Sequence, residues 1–429
     1  MAVEKVKNDI FEEAYKVLED GVEQLNKDFN EKFIKPNIVL SGKTGVGKST
    51  LINAVFGRPL ADAGEGKPVS QALIEYSIPE VSVNLFDTKG IELDPVERKV
   101  SRESIVNKIK ERASSSDVKD HMHVMWYCIS NESKRIEDVE IEWVKEFSEY
   151  MHVIIVLTQT IENSETFQKE IEKELPEIQI CRVLSEERQL IGDLKIPAHG
   201  LDKLVSETVK LLPDATKRAF TAAQKIKVEE KIESAKNLLQ DRMGKYKNLA
   251  HLLEGLPIGV DIAGKAAIYL YIAHDIMKVM GIPVAKNYYK FAKYGKPLLQ
   301  SIIIPFVVAE GGKGLGKTFA KEGGGEIGKK LTDIVIKLFG KNVFKGGSTI
   351  ISPIVGFIFG TFNRKITEKI ANAFIDVCAE FLRNEINYEN LSEEEILEIL
   401  SVQMNKKMID IQDEIEQIVE DDEQSNDRQ

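Results

Sequence analysis

Eight residues, GKTGVGKS at 42–49, restrict what this chain can fold into more than any other stretch. They satisfy G-x-x-x-x-G-K-[ST], the pattern of a loop whose backbone N–H groups wrap a polyphosphate. An apolar strand-like run, NIVLS (37–41), precedes them, and a helical pattern, KSTLINAVFG, follows. A strand–loop–helix of this kind belongs at the carboxyl edge of a parallel sheet, where ligands of open α/β sheets bind. Gly42, Gly45 and Gly47 let the backbone approach the phosphates, with Lys43, Thr44 and Val46 completing the wrap. The helix opening at Lys48-Ser49-Thr50 offers the positive end of its dipole. Lys48 is placed to reach the β and γ phosphates, and the Ser49 hydroxyl to ligate Mg²⁺.

The same pattern recurs in GGKGLGKT (311–318), without that context. Pro305 interrupts the apolar run before it, and Gly323 to Gly325 break any helix within two turns after it. A phosphate loop needs a firm strand and a real helix dipole, so 311–318 reads as a basic connector. DTKG (87–90) supports the first loop. It closes the strand-like run SVNLFD, which puts the Asp87 carboxylate in reach of Mg²⁺ through water and the Gly90 N–H opposite a γ-phosphate. GEGKPVSQ (64–71) lies between the two motifs. Its Ser70 is the candidate hydroxyl that completes the Mg²⁺ shell. Lys48, Ser70 and Gly90 are therefore the expected catalytic groups, and Ser49, Ser70 and Asp87 the expected metal ligands.

The remaining pattern predicts an α/β domain with a mostly parallel sheet and helices on both faces, followed by an all-α domain. Residues 1–32 read as an amphipathic helix, 33–212 as the nucleotide domain, 213–390 as a helical domain, and 391–429 as an acidic amphipathic helix and tail. Strands are expected at 37–41, 72–78, 82–87, 123–130, 152–158 and 180–184. KRAFTAAQKIKVEEKIESAKNLLQDRM reads as one long helix, and SEEE (392–395) as a capping box. Cys128, Cys181 and Cys378 are far apart in apolar contexts, which fits structural thiols in a reducing compartment. His121 and His123 read as hydrogen-bonded or core imidazoles, since no third metal ligand accompanies them. The amino end shows no apolar signal region, so a cytoplasmic protein is expected. The longest apolar runs are short of the ~20 residues a membrane span needs. Charge is unevenly spread: twelve lysines face four acids over 283–350, and thirteen acids face Lys406, Lys407 and Arg428 over 393–429. Two solvated faces are one reading. An anionic membrane surface bound by the lysine block is the other, with peripheral membrane localisation.

On GKTGVGKS, Ser70 and DTKG, residues 33–212 resemble the G domain of translation-factor-type GTPases, the Era-like group. The loop looks like that of the immunity-related and septin-like branches. Residues 213–387 are similar to the uncharacterised helical domain that follows the G domain in some bacterial Era-like GTPases. The resemblance implies GTP and GDP as ligands, Mg²⁺ as cofactor, and a nucleotide-dependent switch read by the helical domain. It also places Thr158, Gln159 and Ser185 near the base. Three departures matter. The family's [NT]-K-x-D is Thr158-Gln159-Thr160-Ile161 here, so the base-stacking lysine and the guanine-reading aspartate are replaced. Ile91 follows DTKG where a water-orienting glutamine is usual. Gly45 stands where potassium-activated relatives have asparagine. Slow hydrolysis is expected, with Arg135 a candidate charge in cis or across a homodimer, or a plain surface arginine. The alternatives are an ATP-binding member of the fold, a nucleotide-controlled membrane scaffold and, on family analogy alone, an RNA-associated factor.

Overall fold

The computed structural model describes residues 2–57, 67–70, 73–77, 81–88, 95–161, 165–190, 194–285, 288, 291, 295–303, 307–308, 350–351, 358–359, 362–384 and 391–426. By its internal contacts the chain divides into two units, 29–228 and 1–28 with 229–429. In chain order the elements are α1 (Ala2–Glu31), β1 (Asn37–Ser41), α2 (Lys48–Phe56), β2 (Lys67–Ser70), β3 (Leu73–Ser77), β4 (Asn84–Thr88), α3 (Pro95–Ala113), β5 (Val124–Ser130), α4 (Asp138–Ser148), β6 (His152–Thr158), α5 (Thr166–Glu174), β7 (Gln179–Arg182), α6 (Leu201–Leu211) and α7 (Asp214–Ala223). They continue with α8 (Val228–His251), α9 (Ile258–Met280), α10 (Lys296–Ile303), α11 (Arg364–Arg383), α12 (Glu393–Asp410) and α13 (Gln412–Asn426).

Unit 29–228 is a seven-stranded sheet in the order β2-β3-β4-β1-β5-β6-β7. β4, β1, β5, β6 and β7 run parallel, and β2 and β3 are antiparallel. The central strands are apolar on both faces, as a sheet covered by helices on each side requires. Successive side chains alternate. Ile38, Leu40, Val124, Trp126, Ile154 and Val156 face one side, with Leu51, Ile52 and Val55 of α2 and Leu204 of α6. Val39, Met125, Tyr127, Ile155 and Leu157 face the other, with Ile105 and Ile109 of α3, Trp143 and Phe147 of α4 and Ile171 of α5. Each fully buried aliphatic side chain of this kind contributes about 1.5–3 kcal/mol.

Three sequence expectations differ from the structure. β2 was not foreseen as a separate strand; it pairs with β3 as an edge, and Ser70 lies opposite Leu73 at its end. The expected long helix from 217 onward is broken at Gln224. That fully buried residue leaves the helical region, and its side-chain oxygen accepts from the N–H of Ile226 (2.7 Å) and Lys227 (2.8 Å). The break lets Phe220 of α7 pack edge-on against Phe56 and Trp126, so α7 joins the sheet's core although the sequence placed it in the helical domain. The carboxyl-terminal helix is likewise interrupted at Ile411, between α12 and α13, while the box at Ser392 and Glu395 forms as expected.

The second unit contains α8 to α13 together with α1 as far as Asp28. α9 is buried nearly all round, with Ala263, Ala266, Ile268, Leu270, Ile276 and Val279 inside. Both of its carboxylates are paired: Asp261 with Lys265 at 2.7 Å, one turn away, and Asp275 with Arg242 of α8. Among the described residues no helix is long and apolar enough to cross a membrane. All three cysteines are buried and free of disulfides. GGKGLGKT and most of the 283–350 lysine block lie outside the described residues.

At the end of the sheet opposite the phosphate loop, Asn37 ties β1 to β4 and to the segment that enters β5. It donates from its side chain to the carbonyls of Lys119 (2.8 Å) and His121 (2.6 Å), and its backbone N–H donates to His123 Nδ1 (2.9 Å). Its side-chain oxygen accepts from Asn84 (2.8 Å). Among the described residues no group of three metal-ligating side chains forms. Burial pushes the His123 imidazole down from 6.5 to about 4. The unfolded chain therefore takes up a proton below pH 6.5 that the folded chain refuses until about pH 4. Stability is full above pH 6.5 and falls as pH drops through this window, by about 2–3 kcal/mol from this one group. Urea midpoints at pH 7 and 4.5, read by Trp126 and Trp143 fluorescence, should separate less in His123→Gln than in the native chain. Equal separation in both would rule the histidine out.

Candidate functional site

The site sits at the carboxyl ends of β1, β4, β5 and β6, where the loop 42–47 turns from β1 into α2. Gly42 has φ +131°, and a Cβ there would lie 2.2 Å from the Cys128 carbonyl oxygen of β5. Only glycine fits so close an approach in that backbone region. Gly47 (φ +96°) is the N-cap of α2 and makes no side-chain cap. The first amides of α2 are thus left to an anion, as at other phosphate-binding helix starts.

Lys48 Nζ donates to the carbonyls of Gly42 (2.7 Å) and Lys43 (3.3 Å), folding back over the loop. Asp87 is half-buried in β4, opposite Leu40 of β1 and Ile74 of β3. Next to it, Thr88 Oγ1 donates to Ser41 Oγ (2.9 Å), fastening β4 to the start of the loop. The Cys128 thiol reports the charges above it. Burial pushes it up to about 12, nearby Lys48 works against that rise, and Asp87 adds to it. Both charges act on this one buried thiol, and Asp87 stands near the carboxyl end of β4, beside the strand that leads into the loop. Ser49, in the first turn of α2, is exposed. A serine hydroxyl and a carboxylate are the hard oxygen donors Mg²⁺ prefers, so the described residues fit that ion chemically. Ser70 ends the edge strand β2, but its side chain lies outside the described residues, as does Gly90 entirely.

On the other side of the loop, Thr158 Oγ1 donates to Val46 O (2.5 Å), with Ile129 O at 3.2 Å. Gln159 takes a left-handed backbone (φ +53°), and its Oε1 accepts from Ser130 Oγ (2.6 Å). Thr160 is fully buried, and its carbonyl oxygen is 3.0 Å from His199 Nε2. His199 also exchanges backbone hydrogen bonds with Leu184, one residue before half-buried Ser185. Gly200 makes this crossing possible, since a Cβ there would meet the Arg182 carbonyl at 1.9 Å. The loops after β6 and β7 are thereby held together beside the phosphate loop. Ile161 is half-buried where a carboxylate was looked for; Glu162 lies outside the described residues, and Arg135 is exposed.

Sequence reasoning overlooked His199 and the pairing of Lys43 with α4. Lys43 Nζ lies 2.6 Å from Glu137 Oε1 and 3.4 Å from Glu140 Oε2. The spacing Glu137-x-x-Glu140 was the available signal, because here a glutamate stands at the N-cap of a capping box.

Residues 37–159 match the family described as 50S ribosome-binding GTPase. The fold, the loop and this match together define a P-loop GTPase domain. Over 195 residues the chain is 25% identical to cell division control protein 10 of Candida albicans, covering 37% of this chain and 54% of that one. It is 25% identical to neuronal-specific septin-3 of Rattus norvegicus over 182 residues, covering 36% and 51%. The chain spans about half the length of the curated relatives it matches. A solved structure of the cytosolic domain of the T. maritima FeoB iron transporter in a GDP form shares 17% identity, covering 58% of this chain and 96% of that one, with a TM-score of 0.27.

Proposed function

We propose that this protein binds GTP with Mg²⁺ and hydrolyses it slowly as a nucleotide-dependent switch read by its helical unit. The observation that carries the reading is Lys48 lying over the glycine-lined loop, with Asp87 near the carboxyl end of the neighbouring strand β4. The loop amides and the start of α2 hold the phosphates, and Lys48 leaves the Gly42 and Lys43 carbonyls to neutralise them. Mg²⁺, when bound, neutralises charge developing on the phosphates; Ser49 and Asp87 would hold it, Ser70 being the further candidate. Thr158 fixes the loop from behind, and Gln159 and Ser185 border the base. Ile91 stands after DTKG where a water-orienting glutamine is usual in the family it resembles, which favours low turnover. Readout by the helical unit, a homodimer across the site and an anionic membrane bound by the lysine block are proposals on charge and resemblance alone.

Ile161 favours a second reading, an ATP-binding member of the same fold, because it offers guanine no carboxylate. Competition of GTP, GDP and ATP for the native chain, followed by phosphate release, tests both. The GTP reading expects GTP and GDP to bind and ATP to compete poorly; tight ATP with weak GTP would overturn it. Lys317→Ala, in GGKGLGKT, should change neither binding nor release, and a loss of either would return that segment to the site.

A further inference from the structure

Lys43 is engaged from both sides. Its carbonyl accepts from Lys48 Nζ (3.3 Å), and its own ammonium meets two carboxylates at the start of α4. Glu140 is the unusual partner. Its side chain is 4% exposed, and its Oε2 accepts from the Glu137 N–H (3.0 Å) to close the capping box. A carboxylate taken out of water needs both hydrogen bonds and a counter-charge. These two glutamates also stand beside a loop built to receive a highly charged anion. Left alone, they would repel it.

We propose that Lys43 is a positioning residue that neutralises Glu137 and Glu140 and so keeps the phosphate loop receptive to anions in proportion to their charge. The inference rests on the nucleotide reading above, and it assigns a role to a side chain that no phosphate-loop pattern specifies. The surrounding charges agree with it. Lys43 is the main cause of the Glu137 carboxyl lying below the usual carboxylate range; Arg135 and Arg98 act in the same sense but more weakly. The pair also acts on β5, on the face that α4 covers. Burial raises the Tyr127 hydroxyl well above its ordinary value, and Glu140 and Glu137 push it the same way. Tyr127 lies opposite Ser41, the last residue of β1 before the loop. The direct contact of both carboxylates with a loop residue makes the start of α4 a place from which nucleotide affinity can be adjusted.

The experiment compares Lys43→Met, Lys43→Arg, Glu137→Gln and the double variant Lys43→Met/Glu137→Gln in the full chain, titrated with GTP and with GDP at low and high salt. Losing the counter-charge should weaken GTP about tenfold and GDP about threefold at low salt, since the repulsion grows with the charge on the ligand. At high salt the difference should shrink, because both Lys43 and Glu137 are partly exposed. Lys43→Arg should bind as the native chain does, Glu137→Gln at least as well, and the double variant should recover most of the lost GTP affinity. Thermal melting, run alongside, separates this from misfolding. The proposal is overturned if Lys43→Met binds GTP as the native chain does, if it loses GTP and GDP equally at every salt, or if the double variant is no better than the single one. A native chain that binds neither nucleotide would instead overturn the nucleotide reading itself.

Discussion

Lys48→Ala should lose GTP and GDP affinity by about 10²–10³-fold and release no measurable phosphate, the scale seen when one charge-stabilising donor is removed from an active site. The free protein shows why no other group takes over. The ammonium lies over the loop on the Gly42 and Lys43 carbonyls, and the described cation beside it, Lys43, is committed to Glu137 and Glu140. Removing Lys48 also leaves two loop carbonyls without their donor, at about 1 kcal/mol each, so the free protein should melt slightly earlier. Lys48→Arg is not a rescue. A planar guanidinium cannot place a compact charge between two phosphates across a loop this close to β5. Equilibrium titration with each nucleotide and a phosphate-release assay measure both halves of the expectation. Residual binding within a few-fold of the native chain would mean that the loop amides and the α2 dipole carry the anion by themselves.

The loop was legible in the sequence because its constraints are local. Glycine is required at Gly42 for close approach to the Cys128 carbonyl, and a strand and a helix must flank it; each leaves its mark within fifteen residues. The sheet was legible for a related reason: both faces are buried, so β1, β5 and β6 are continuous apolar runs. Breaks decided by distant partners were not legible. KRAFTAAQKIKVEEK keeps a helical period straight through Gln224, and only the Gln224 amide binding Ile226 and Lys227, with Phe220 drawn to Trp126, ends α7 there. The base-side loops show the same limit. Nothing local to TQTI tells that Gln159 will adopt a left-handed backbone or that His199, some forty residues on, will hold the Thr160 carbonyl. Lys43 meets its two glutamates across a gap more than twice as long. In each case the residue types were visible, and the pairing depended on the closed sheet.

The second large effect is expected far along the chain from the loop, in the unit that includes α1, α8 and α9. Arg242 of α8 pairs with Asp275 of α9 and donates through Nη2 to the Leu25 carbonyl of α1 (2.6 Å). Tyr246 donates to the same Asp275 oxygen (2.6 Å). Arg242 and Asp275 are both buried. Burial works to raise the Asp275 carboxyl, yet it stays below the ordinary range because the His274 hydrogen bond and the Arg242 charge oppose that rise. Arg242→Met removes the cation and strands the carboxylate, a change that costs about 3–5 kcal/mol. The double variant Arg242→Met/Asp275→Leu removes both charges at once and should regain most of that loss, less the hydrogen bonds of Tyr246 and the Leu25 carbonyl. Urea unfolding followed by far-UV circular dichroism reads the helices of this unit, whereas the chain's two tryptophans, Trp126 and Trp143, both lie in the other. The dichroism midpoint of Arg242→Met should fall well below that of the double variant. If the two coincide, the pair is not a mutual dependence of buried charges, and α1 is held by its other contacts, the ion pair of Asp28 with Lys245 of α8 among them.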